Sequence, residues 1–307
     1  MTLRSGAVLV PGDLSGLGVH AAWRGALVAR ELAAVLRLLH TRPAGEDPVA
    51  ALESLRQLAR DIRGHLGLRV EVVEDPGEPL AATARAARGA EMVVIGARRG
   101  NALRDLVLGT QAERLMRLSR LPVLVVKKAP TGGYRRVLVP VELGPAAAPV
   151  IAAAARLSRG PRLEVLHALP PGEEISMRVV DVPQHVLRRL RRRATHRAEA
   201  ALEELIAQAA PAEGRHAAAP AVSFGDPAAL VLARAQAMRA DLVVMGKRPR
   251  GVLGDLLLNS VTRRVLAEAP GDVLMLPAPA PAGAKAIGLR LALRPACEGH
   301  ESPQRAR

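Results

Sequence analysis

Five short stretches of this 307-residue chain are written twice, in the same order, so the chain reads first as a duplicated unit. Residues 7–13, Ala-Val-Leu-Val-Pro-Gly-Asp, return at 136–142 as Arg-Val-Leu-Val-Pro-Val-Glu. Leu38-Leu39-His40 returns as Val165-Leu166-His167, and Gly77-Glu78-Pro79 as Gly225-Asp226-Pro227. Residues 90–96, ending Val-Val-Ile-Gly, return at 240–246 ending Val-Val-Met-Gly, and residues 121–126 return at 271–276. The first two pairs lie about 127–129 positions apart and the last three about 148–150, so the second copy carries roughly 20 extra residues between its second and third strands. They fall around residues 170–186.

Within each copy, short runs of Val, Leu and Ile alternate with amphipathic stretches. Apolar runs without polar alternation suit a parallel sheet buried on both faces. In the first copy the pattern predicts strands over residues 7–10, 35–40, 69–73, 92–95 and 123–126, and helices over 17–32, 48–65, 79–88 and 110–118. Parallel strands need such crossovers. The expected fold is α/β: two tandem, doubly wound, five-stranded parallel-sheet domains over residues 1–130 and 134–278, joined through a Pro-Thr-Gly-Gly segment at 130–133. One undivided sheet, or unrelated topologies in the two copies, would contradict this. Residues 279–307, rich in Pro, Ala, Gly and Arg, are expected to form a disordered basic tail, with 287–293 as the one stretch able to form a short element.

Apolar residues make up 49% of the chain, but there is one Phe, one Tyr and one Trp, so the cores are expected to be aliphatic. The net charge of +15 attracts polyanions. No sequence-reading motif or set of stacking aromatics accompanies it, and nucleic acid is not expected as the main partner. Cys297 is the only cysteine, which excludes an internal disulfide and a Cys-based metal site. No signal-like segment opens the chain, and no run of about 18 residues is free of charge, so a cytoplasmic protein without a membrane span is expected.

The ordered pattern resembles the universal stress protein family, once per copy. Its carriers are Val-Leu-Val-Pro-x-Asp/Glu, the Leu-His strand end, Gly-Asp/Glu-Pro, Val-Val-x-Gly, and the step Leu-Gly-Thr (Leu-Asn-Ser in the second copy). The resemblance implies strand order 3-2-1-4-5, an adenine-nucleotide alpha-hydrolase-like fold, and intramolecular pairing of the two domains about a pseudo-two-fold axis through their last strands. It also implies, for nucleotide-binding members, ATP held between the first-strand loop and a Gly-x2-Gly-x9-Gly-Ser/Thr loop after the fourth strand. Mg²⁺ enters only with ATP.

Such a loop works because glycines let backbone N–H groups approach phosphate oxygens, and the next helix adds unpaired N–H groups and its dipole. In the first copy Gly96 and Gly109 match the outer glycines and Thr110, followed by Gln111, matches the hydroxyl position. Arg99 stands at the second glycine position, with Gly100 one residue late; Arg98 or Arg99 could bind phosphate by side chain. Asp13 matches the acidic residue near the ribose, and Pro11 and Thr41 flank the adenine position. The second copy fits less well: Pro249, which has no N–H, replaces the second glycine, Asn259 the last, and Glu142 the Asp.

The same residues have simpler roles open to them. Thr110-Gln111-Ala112-Glu113 is a capping-box pattern, Asp13 can cap the first helix, and the loop arginines can be solvated. His40 and His167 suit packed or hydrogen-bonded strand histidines. Six arginines crowd residues 188–197 of an expected helix, with Arg189–Arg193 and Arg193–Arg197 in like-charge contact; this is either a solvated face or a surface for nucleic acid, anionic lipid or an acidic partner. The expected function is stress-related regulation by nucleotide-responsive binding, not enzymatic turnover; slow ATP hydrolysis is left open, though no residue suits a hydrolytic base. The alternative is a nucleotide-free scaffold that binds a protein partner or polyanion through the paired domains and the basic helix. Homodimerisation is compatible with either.

Overall fold

The structure, a computed structural model, describes residues 6–12, 14–41, 48–97, 115, 121–169, 184–209, 218–246 and 260–277. The first copy runs β1 (Ala7–Pro11), α1 (Gly16–Glu31), β2 (Val35–Thr41), α2 (Pro48–Leu66), β3 (Val70–Asp75), α3 (Pro79–Ala86), β4 (Ala90–Gly96) and β5 (Val123–Val126). The second runs β6 (Tyr134–Val141), α4 (Ala147–Leu157), β7 (Ser158–Leu169), α5 (Gln184–Ala209), β8 (Ala218–Phe224), α6 (Pro227–Ala237), β9 (Leu242–Gly246), α7 (Ser260–Glu268) and β10 (Asp272–Leu276). The helix expected over 110–118 and the element over 287–293 lie outside the described residues, Leu115 excepted.

The ten strands form one hydrogen-bonded sheet in the order β3-β2-β1-β4-β5-β10-β9-β6-β7-β8. Each half keeps the expected order 3-2-1-4-5, and the two five-stranded units join edge to edge through their last strands, the pairing that the resemblance implied. All pairings within a half are parallel, and the central β5–β10 pairing is antiparallel. Its register sets Leu124 opposite Leu274, with Val123 opposite Met275 and Val125 opposite Val273. Leu124 and Leu274 are equivalent residues of the two copies, so a pseudo-two-fold axis passes between them. The edges that two separate sheets would expose are sealed against each other.

Alternate residues of each strand feed two aliphatic cores. One face packs Val8, Val10, Leu36, Leu38, Leu124, Val137, Val139 and Leu274 under α1, α2, α4 and α5. The other packs Leu9, Val93, Val123, Val243 and Val273 under α3, α6 and α7. Each fully buried Val or Leu contributes about 1.5–3 kcal/mol relative to exposure. Small residues seat α1 tightly: Ala21, Ala22, Gly25, Ala26 and Ala29 form its buried face, and a Cβ on Gly25 would approach Val10 Cγ2 to 2.7 Å.

The repeated Gly-Asp/Glu-Pro motif starts a helix in both copies. Glu78 caps α3 by accepting from the Ala81 N–H at 3.0 Å, and Asp226 caps α6 by accepting from Ala229 at 2.8 Å. The following proline supplies the first-turn φ where its missing N–H is harmless. β3 starts one residue later and ends two later than expected. Glu74 and Asp75 continue the ladder opposite His40 and Thr41, and an apolar criterion stops short of such polar edge residues.

Candidate functional site

The candidate mouth lies at the carboxyl ends of β1, β2 and β4, where the strand order reverses and open α/β sheets usually bind ligands. Register brings three expected residues to this edge. Pro11 pairs with Leu39, two residues before Thr41, and Leu9 pairs with Val93, three residues before Gly96. Pro11, Thr41 and Gly96 are all half-buried. Asp13, Arg98, Arg99, Gly100, Gly109, Thr110 and Gln111 lie outside the described residues. So do residues 247–259, with Pro249 and Asn259.

Two glycines let the backbone close up here. The Gly12 N–H donates to Leu39 O at 2.6 Å, and a Cβ on Gly12 would meet that oxygen at 2.8 Å. A Cβ on Gly96 would meet Leu17 O at 2.6 Å and Gly18 N at 3.2 Å. The end of β4 therefore rests against the first turn of α1, whose cap is Ser15 Oγ accepting from the Gly18 N–H at 3.2 Å. In the second copy the matching glycine, Gly246, faces a side chain instead: its Cβ would meet Val150 Cγ2 at 2.7 Å. No side chain caps α4 there.

The acids beside the first mouth carry their own partners. Asp75, opposite Thr41, takes two hydrogen bonds from Arg85, at 3.0 and 2.7 Å. Those bonds and the Gly77 N–H hold its carboxyl below the usual range. Glu74, opposite His40, pairs with Arg56 at 3.2 Å. His167 Nδ1 lies 2.9 Å from Val141 O, a packed strand histidine as expected. His40 is more deeply enclosed than the half-buried His167, and its Nε2 has no partner among the described residues. No group of three His, Cys, Asp or Glu side chains among the described residues is placed to hold a metal.

A second polar centre was not legible in the sequence. At the joint between the halves, Asp272 Oδ2 accepts from the Tyr134 hydroxyl at 2.7 Å and lies 3.1 Å from Arg24 Nε. Asp272 Oδ1 accepts from the Lys127 N–H at 2.9 Å. Arg24 also donates to Gly132 O at 2.6 Å and lies 4.1 Å from the Tyr134 ring centre. Lys127 Nζ donates to Ala269 O at 2.9 Å. Burial pushes the Asp272 carboxyl up, against the Lys127 N–H and Arg24, which favour its charged form. Burial also drives the Tyr134 hydroxyl well up and lowers Lys127 to about 8. The only sequence signals were a lone tyrosine, an arginine on a small-residue helix face, and an acid where the first copy has Pro122.

A duplicated 3-2-1-4-5 sheet, joined edge to edge and with a glycine-closed end in its first half, defines a tandem, doubly wound α/β protein. The sequence model of the Universal stress protein family matches residues 6–127 and again 133–277, and the chain belongs to that family. A Thermus aquaticus protein described as "Universal stress protein in QAH/OAS sulfhydrylase 3′region" is 33% identical over 129 residues, covering 42% of this chain and 87% of that protein. The crystal structure of a universal stress protein from Archaeoglobus fulgidus superposes with a TM-score of 0.64 at 19% identity, over 90% of this chain and 99% of that one. A Pseudomonas aeruginosa UCBPP-PA14 protein superposes with a TM-score of 0.63 at 22% identity, over 90% and 94%. These two likenesses show the fold. No helix among the described residues is long and apolar enough to cross a membrane.

Proposed function

We propose that the first copy binds an adenine nucleotide, ATP with Mg²⁺ as the leading form, and that the chain is a cytoplasmic regulatory protein whose output is binding with little or no hydrolysis. The observation that carries this is the register that sets Pro11, Thr41 and Gly96 at the carboxyl ends of neighbouring strands beside the strand-order reversal, with Gly96 closed against the first turn of α1. Gly109, Thr110 and Gln111 complete the phosphate loop in this reading, Arg98, Arg99 and Gly100 contribute side-chain and backbone donors, and Asp13 meets the ribose. The second copy, with Pro249 in its loop, is the weaker site. Without nucleotide, the same paired halves serve as a scaffold for a protein partner.

A ligand that binds only the folded state raises the unfolding midpoint in a concentration-dependent way. Titrating nucleotide-stripped protein with MgATP is expected to raise the midpoint, and Gly109→Asp, which sets a carboxylate at the phosphate position, is expected to abolish the rise. No rise at millimolar MgATP would overturn the nucleotide reading and leave the scaffold.

A further inference from the structure

We propose that the outward face of α5 is a docking surface for the phosphate backbone of duplex nucleic acid, held without reading its sequence. Arg188, Arg189, Arg192, Arg193 and Arg197 are exposed there. None forms an ion pair among the described residues; Arg197 Nε donates to Arg193 O. Arg191 turns inward, its guanidinium 5.9 Å from the Phe224 ring centre. The acids of the helix, Glu199, Glu203 and Glu204, all follow the arginines, and Glu199 faces His196 at 3.5 Å.

The first copy supplies an internal control. Its α2 fills the same crossover, between the second and third strands, in 19 residues against the 26 of α5. Two exposed arginines of α2 are matched by acids: Arg60 pairs with Glu53 at 2.9 Å and Arg56 with Glu74 at 3.2 Å. Crossing the sheet therefore does not demand unpaired arginines. On α5 they stack at i,i+4 as 188–192, 189–193 and 193–197, a like-charge arrangement that weakens a helix standing alone.

The geometry selects the partner. At 3.6 residues per turn, the five arginines spread over about half the helix circumference and about 15 Å of its length. Arg188 and Arg192 lie on one flank, Arg193 and Arg197 on the other, and Arg189 on the crest. Cations on both flanks suit the two phosphate walls of a duplex groove, which is about as wide as a helix. A flat bilayer would meet only the crest. The apolar face of α5 cannot enter a membrane either, because Leu187, Ala198, Leu202 and Ile206 are buried in the protein. Single strands need stacking aromatics, and α5 has none. The opposite face of α5 packs on β7, the edge strand β8 and α4. The proposal holds whether or not the first copy takes nucleotide.

The test is binding of the full chain to a fluorescent 24-base-pair duplex, followed by anisotropy across a salt series. The affinity is expected to fall steeply with salt, by about 0.9 logarithmic unit per phosphate neutralised for each decade of salt. Arg189→Gln/Arg193→Gln is expected to reduce that slope by about 2, while Arg189→Lys/Arg193→Lys restores it. Arg56→Gln/Arg60→Gln on α2 is expected to leave the slope unchanged, and two duplexes of unrelated sequence to bind equally. Circular dichroism of each variant confirms that α5 remains folded. An unchanged slope in the α5 glutamine variant, an equal loss in the α2 variant, or tighter binding to phosphatidylserine-containing vesicles than to duplex would each overturn the proposal.

Discussion

Asp272 is the residue on which most of the joint converges. Its carboxylate meets Arg24, Tyr134 and Lys127, drawn from both halves. Replacing a buried ion pair with apolar residues is often harmless, but removing one partner strands the other charge. Asp272→Asn is therefore expected to destabilise the fold by about 3–5 kcal/mol in urea denaturation. Tyr134→Phe, which removes one hydroxyl donor and no charge, is expected to lower stability by about 1–3 kcal/mol. Equal losses would mean that Arg24 is not held by the carboxylate. Lys127 adds a pH signature. Its folded-state pKa, about 8, lies below the ordinary 10.5, so between these values the unfolded chain holds a proton that the folded one has released. Stability from this group rises with pH across that window. Tyr134, whose folded pKa is raised above 10, reverses the trend once the unfolded tyrosine ionises. The midpoint of wild type minus that of Lys127→Met is expected to grow from pH 8 to 10, and parallel profiles would contradict the assignment. None of this was legible in the sequence, because Tyr134 and Asp272 are 138 positions apart and only the closed sheet makes them neighbours. Pro11, Thr41 and Gly96 were legible, because each is tied to the end of a strand whose apolar run is local.

Among the elements, those buried on both faces were read most accurately. β5 runs from Val123 to Val126 as expected, because all four of its residues are buried. β3 was read short, because the edge of a sheet carries polar residues that a run of Val and Ile does not announce. α5 and its like-charged arginine spacing were read from the pattern; the paired charges of α2 supply the contrast that the sequence did not. Helix starts are governed by the caps. Asp226→Ala removes the acceptor for the Ala229 N–H and is expected to lower stability by about 1 kcal/mol. Asp226→Asn is expected to retain most of that, since asparagine caps nearly as well. Chemical denaturation of the two variants separates the cap from the weak, exposed contact between Asp226 and Arg264 at 3.5 Å.

For the whole molecule, the duplication supplies within one chain what a symmetric dimer supplies with two. Because β5 and β10 run antiparallel, the carboxyl ends of the two sets of strands face opposite edges of the sheet. The two mouths are thereby separated, and each copy can diverge on its own: the first keeps Gly109, while the second carries Pro249 in the equivalent loop. The joint itself is asymmetric, because Asp272 has no acidic counterpart at Pro122 and Arg24 reaches across to it. That asymmetry ties α1, the 130–133 linker and β10 into one body. Native-state hydrogen exchange of the Val123–Val126 and Asp272–Leu276 amides tests this most directly. Both strands are expected to exchange only with global unfolding, at one common free energy that Asp272→Asn lowers equally in the two. Fast exchange of these strands, while each half keeps its own protected core, would show two independent domains and contradict the single sheet.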